Sequence, residues 1–192
     1  NELDVTSNLV FFFEGQEEAG SDQLQQYLND NRELVDEIDL WMFCDGPVHQ
    51  SRRPQLVFGV RGVTGMEITT YGPNRPLHSG HYGNWATVPG QLLSDLIASM
   101  KDKEGNVIID GFYDDVEPLS EVEKEALAKI PLIDEDLKQE LGINNPEGTE
   151  SYNERLLRPS LTIRGLSSGN TGKLARNVVP ATATASIGIR LV

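Results

Sequence analysis

Four carboxylates stand where the chain turns after two apolar runs. Glu14, Glu17 and Glu18 follow residues 8–13 (NLVFFF), and Asp45 follows residues 38–44 (IDLWMFC). If the two runs are neighbouring strands of a parallel sheet joined by a returning helix, both groups emerge at one carboxyl-terminal edge, where such sheets bind ligands. Carboxylates gathered there repel unless protons or cations compensate them. A divalent metal is the economical solution, and hard oxygens suit zinc, manganese or magnesium. The competing reading is a solvated acidic turn, with Asp45-Gly46 as an ordinary turn pair. These residues alone leave both readings open.

The elements that must position them read as follows. The run at 8–13, continuously apolar and rich in aromatic residues, is expected as a strand buried on both faces. Ser21 or Asp22 is expected to cap a helix over 22–35, with Leu24, Tyr27, Leu28 and Leu34 on its apolar side. The run at 38–44 completes a parallel βαβ unit. Residues 48–55 read as a crossing between domains. Beyond it, residues 57–71 alternate apolar and polar, as a half-exposed antiparallel strand does. Val88, Leu92, Leu93, Leu96, Ile97 and Met100 have helical spacing. A short strand is expected at 106–109, two short helices split by Pro131 within 117–142, a loop at 143–153, and strands at 160–166 and 181–192 with a loop between them. The expected fold class is α/β plus α+β. A partial parallel βαβ piece (1–57) precedes a ferredoxin-like domain (58–192) of four antiparallel strands with helices on one face. A ferredoxin-like layer calls for a further helix after its last strand, so the chain reads as an interior piece of a longer protein.

Composition narrows the class. The chain has 192 residues, of which 38% are hydrophobic, enough for a packed core. Sixteen basic residues against 30 acidic ones give a formal net charge of −14, which disfavours nucleic acid and anionic membrane surfaces. No apolar run approaches the roughly 18 residues that a membrane span needs. The single cysteine, Cys44, permits no intramolecular disulfide and fits a reducing, cytoplasmic compartment. Cys44 lies in an apolar run with no base beside it, so a core thiol is expected rather than a nucleophile.

The ordered segments FFFEGQEEAGS, CDGP, VFGVRG, LHSGHYG, RPSLTIRGLSSG and RNVVPATATASIGIRLV span nearly the whole chain. Together they resemble the M20 family of metallopeptidases, and most closely its dipeptidase branch that includes carnosine dipeptidases. The acidic stretch at 118–143 is similar to an insertion found in that branch. The resemblance implies a catalytic domain holding two divalent ions, zinc before manganese, and an inserted lid domain that mediates homodimerisation. It implies a peptide substrate, with Glu17 as the general base, and Glu18 and Asp45 as metal ligands. His78 of LHSG becomes the lid histidine that stabilises the oxyanion in the partner's active site. Arg190 becomes the arginine that binds the substrate carboxylate, and Asn177 a polar residue near the substrate.

Each residue also has a plain structural reading. His78 could be a turn residue and Arg190 an exposed strand residue; His78 and His81 are not read as a metal pair. The resemblance places further ligands, a His-x-Asp segment, a bridging Asp and a late histidine, outside these residues. The 192 residues alone are therefore expected to hold metal weakly and to be inactive. Two rival readings are a catalytically silent dimerisation module and a ferredoxin-like sensor; the sensor leaves the acidic strand ends unexplained.

Overall fold

The computed structural model describes residue 4, residues 6–46 and residues 48–192. The chain divides into two units, residues 1–47 and 48–192. In chain order the elements are α1 (Leu24–Asp30), α2 (Arg32–Val35), β1 (Gly62–Tyr71), β2 (Leu77–His78), α3 (Ser79–Tyr82), α4 (Pro89–Ala98), α5 (Glu121–Leu127), α6 (Asp134–Leu141), α7 (Tyr152–Leu156), β3 (Ser160–Ser167), β4 (Val178–Val179) and β5 (Thr182–Leu191). Single 3-10 turns occur at Glu17–Ala19 and Gly172–Leu174.

Alternation along β5 builds the larger unit. Ala183, Ala185 and Ile187 are each at most 1% exposed, while Thr184, Ser186 and Gly188 face the other way. β5 is the central strand of an antiparallel sheet with order β1-β5-β3. α4 begins with Pro89 in its first turn, where a missing N–H costs nothing. Its Leu93, fully buried, packs on Ala183 and Ala185 together with Ile68 and Ile97. The two alanines keep that surface low enough for the helix to seat closely. A second cluster joins Met100, Val107, Leu161 and Ile187.

The sheet has three strands, not the expected four. Residues 106–109 form only a bridge, Lys101 to Val107. The Asp102 carboxylate accepts the backbone N–H of Asn106 at 2.7 Å and its Nδ2 at 2.9 Å, closing a turn with Gly105 at φ +83°. This turn folds the segment back on the end of α4 instead of adding it to the sheet. A separate two-stranded ribbon, β2 with β4, pairs Leu77 with Val179 and His78 with Val178. The segment at 167–180, read as a loop, thus contains a strand. The loop expected at 143–153 is present over 143–151, and its last two residues open α7, begun by a capping box between Ser151 and Glu154.

Helices α5 and α6 flank Pro131 as expected. At the start of α5 the Ser120 hydroxyl accepts the Glu123 N–H at 3.3 Å, and the Glu123 carboxylate accepts the Ser120 N–H at 2.7 Å. Replacing Ser120 with alanine removes the cap and is expected to cost about 1 kcal/mol, read from denaturant midpoints. Hydrogen bonds from the Ser120 side chain and backbone hold the Glu123 carboxyl below its ordinary value. That stabilisation is present above the unfolded-state value and fades as pH falls through the folded one, so acidification narrows the difference between the two proteins.

The smaller unit departs most from expectation. Neither 8–13 nor 38–44 is a strand; both lie without a backbone ladder, and Leu9, Phe11, Phe13, Leu40 and Phe43 are exposed. An isolated pair of strands is marginal without neighbours to extend the ladder. Aromatic contacts join the runs. The Phe12 ring lies 5.7 Å from Tyr27 and 6.4 Å from Trp41, which ties the two runs to α1. Cys44 is exposed rather than a core thiol, because its run is not enclosed. The helix expected over 22–35 breaks at Asn31 into α1 and α2 and has no side-chain cap. Ser21 cannot serve as that cap, since it adopts φ +55° within the preceding turn.

Candidate functional site

The turn after the first apolar run is closed by its own backbone. Ala19 N–H and Ser21 N–H donate to the Gln16 carbonyl at 2.9 and 3.0 Å, and Gly20 N–H donates to the Glu17 carbonyl at 3.0 Å. Gly20, at φ +99°, supplies the left-handed residue that ends the 3-10 turn. With about three residues per turn, successive 3-10 side chains diverge by about 120°. Glu17 and Glu18 therefore leave the same turn in different directions.

Carboxylate oxygens of Glu17, Glu18 and Asp45 lie within 4.8 Å of one another, and all three residues are exposed. Two oxygens bound to one zinc at about 2.1 Å can be at most about 4.2 Å apart. Contraction by less than an ångström would thus bring any pair into reach of one ion, and the all-oxygen donor set suits a hard divalent cation. Among the described residues this is the one group of three or more such donors. Glu14 is exposed and lies outside it. His78 and His81 are not part of any such group either, although their rings lie 4.7 Å apart.

In the larger unit, the β2–β4 ribbon brings His78 and Asn177 together. Ser79 N–H donates to the Asn177 carbonyl at 2.9 Å, and His78 pairs with Val178. Gly80 N–H donates to His78 Nδ1 at 3.1 Å. The ribbon attaches at the Tyr71–Thr182 end of the sheet, where Gly72 N–H donates to the Ala181 carbonyl at 2.9 Å. Arg190 is at the other end, paired with Val63 and Ser160 and exposed. It lies eight residue steps along the strand from Thr182, about 26 Å at 3.3 Å per residue.

One cation near Arg190 escaped the sequence reading. β3 bulges between Ile163 and Gly165, and the bulge lays the Arg164 side chain across β5. A Cβ on Gly65 would sit 2.6 Å from its guanidinium, and one on Gly188 2.9 Å from its Cδ. Gly65 and Gly188 are register partners, so together they form the trough the arginine occupies. Arg164 donates to the Ile187 carbonyl at 3.3 Å and the Ser186 hydroxyl at 3.4 Å. Gly188 and Arg190 share this face of β5. Two glycines within otherwise regular strands were the available signal; the bulge that uses them was not.

Residues 58–192 match the model of the M20 peptidase dimerisation domain. The chain belongs to the M20 family of metallopeptidases. Among curated M20 relatives, a Cys-Gly metallodipeptidase of Schizosaccharomyces pombe is 29% identical over 194 residues, which cover 99% of this chain and 41% of that protein. A beta-Ala-His dipeptidase of Mus musculus is 29% identical over 196 residues, covering 98% and 39%. Among solved structures, an M20 metallo-carboxypeptidase from Sulfolobus solfataricus superposes with a TM-score of 0.77 at 32% identity, covering 93% of this chain and 41% of that one. Human carnosine dipeptidase 1 gives 0.75 at 26% identity, covering 93% and 38%. The chain spans about two fifths of the length of the curated relatives it matches. Their shared architecture of helices and antiparallel sheets agrees with the larger unit. No helix among the described residues is long and apolar enough to cross a membrane.

Proposed function

We propose that the full-length protein is a two-metal exopeptidase that hydrolyses the peptide bond of dipeptides or short peptides. The observation that carries this reading is the convergence of Glu17, Glu18 and Asp45 in a chain of this family. In this reading residues 1–57 belong to the catalytic domain and 58–192 form the lid through which two copies pair. Glu18 and Asp45 hold metal. Glu17, leaving the turn in another direction, takes the proton of the attacking water. The ions, zinc before manganese, polarise the scissile carbonyl and acidify water when bound. Two carboxylates are fewer than the three protein ligands of a catalytic zinc site, so the 192 residues contribute part of the centre.

His78 stabilises the developing oxyanion and Asn177 stands beside it, while Arg190 pairs its guanidinium fork with the substrate carboxylate. An extended dipeptide is only about 7 Å long. The placing of His78 and Asn177 near one end of the sheet and Arg190 at the other supports a dimer in which one chain's His78 and Arg190 serve different active sites.

Metal analysis and a dipeptide panel on the full-length protein test this reading. The expected result is two divalent ions per chain and turnover that a chelator abolishes and zinc or manganese restores. The 192 residues alone are expected to show no hydrolysis. A metal-free full-length protein, or measurable turnover by the 192 residues, would overturn it.

A further inference from the structure

We propose that Gly80 is the positioning residue of His78: its backbone N–H and its lack of a side chain together hold the imidazole as the tautomer that carries its proton on Nε2. The proposal rests on the reading of His78 as the oxyanion donor. A neutral imidazole has one donor nitrogen and one acceptor. Nδ1 accepts the Gly80 N–H at 3.1 Å, which leaves the proton on Nε2. His78 is exposed, and Nε2 has no hydrogen-bond partner among the described residues. The free nitrogen is therefore a donor, as stabilisation of an oxyanion requires.

Backbone conformation does not explain the glycine. Gly80 lies inside α3 and is not among the positive-φ glycines, and alanine forms helix more readily. What glycine provides is room. A Cβ here would lie 2.8 Å from His78 Cε1 and 3.1 Å from Nδ1. The histidine backbone is fixed by its pairing with Val178 and by the Ser79–Asn177 hydrogen bond, so the ring must give way. The His81 ring centre lies 4.7 Å from that of His78, so the ring has a close neighbour as well. Helix capping alone does not account for the pair, since serine, threonine, aspartate and asparagine are the preferred caps.

The test uses the full-length protein with 15N-labelled histidine rings, and compares wild type, Gly80→Ala and His78→Asn. The wild-type His78 ring is expected to show the nitrogen shifts of the Nε2–H tautomer. Gly80→Ala is expected to mix the tautomers and lower kcat about 10–100-fold, with KM unchanged and thermal stability equal or higher. A wild-type ring protonated on Nδ1 overturns the proposal whether or not the variant folds. So does a Gly80→Ala protein with wild-type tautomer and kcat, or one whose activity falls only in step with its stability. His78→Asn keeps a good cap and removes the imidazole. Full kcat in that variant would reject the oxyanion role itself and with it the functional half of this proposal, while the ring shifts still decide the tautomer.

Discussion

Glutamine at position 17 of the full-length protein is expected to lower kcat by about 10²–10⁴-fold, the range a general base contributes, while bound metal stays at the wild-type level. The substitution is nearly isosteric. The turn around it is closed by backbone groups of Gln16, Glu17, Ala19, Gly20 and Ser21, none of which the change touches. Loss of turnover with retained metal would therefore report on proton transfer rather than on folding. Glu18→Gln and Asp45→Asn are expected to behave differently, losing metal and activity together, because their carboxylates are read as ligands. The three residues lie within one small cluster of oxygens, and the contrast between variants separates roles that proximity alone does not. Metal analysis beside steady-state kinetics makes the distinction. Wild-type kcat in the Glu17 variant would place the base elsewhere.

The parts of the fold that were legible are those whose side-chain period is set by one buried face. In β5 the alternation from Thr182 to Leu191 reads directly as a strand with Ala183, Ala185, Ile187 and Ile189 inward, and α4 reads from its Leu and Ile spacing. The runs at 8–13 and 38–44 misled because a continuous apolar stretch says that a segment is to be covered, not what covers it. They have no ladder, and Phe13 and Phe43 are more than four-fifths exposed. The fourth strand failed for a local reason, the Asp102–Asn106 turn, whose hydrogen bonds fold Val107, Ile108 and Ile109 back so that Ile108 N–H donates to the Met100 carbonyl rather than to the sheet. The two-residue strands β2 and β4 were illegible because no period can be read from two residues. For the site, strand ends drew attention to Glu17, Glu18 and Asp45, but their joint geometry needed the 3-10 turn and the aromatic contacts of Phe12. Arg164 was missed because its position depends on a bulge, and a bulge is a misfit between strands rather than a property of one.

Alanine at position 187 is expected to cost the larger unit about 2–5 kcal/mol, the usual range for removing a buried isoleucine side chain. Ile187 is 1% exposed at the middle of the central strand, paired with Met66 on one side and Ile163 on the other. It shares a cluster with Met100, Val107 and Leu161, drawn from α4's exit, the Asp102 turn and β3. Backbone ladders on both flanks keep β5 from moving inward, so much of the lost volume remains as a void. Ile187→Val keeps most of the side chain and is expected to cost about 0.5–1.5 kcal/mol. Phe58→Ala, at a residue 97% exposed, is expected to stay within about 0.5 kcal/mol. Urea midpoints across the three variants would establish the gradient, and equal effects at 187 and 58 would mean that the packed face of β5 is not the core of this unit. The same strand carries Arg190 three residues further on, and Gly188 beneath Arg164 next to it. Loss of order in β5 would thus free both arginines from the sheet, and if Arg190 holds the substrate carboxylate as proposed, stability and substrate affinity of the full-length protein should decline together in the alanine variant but not in Phe58→Ala.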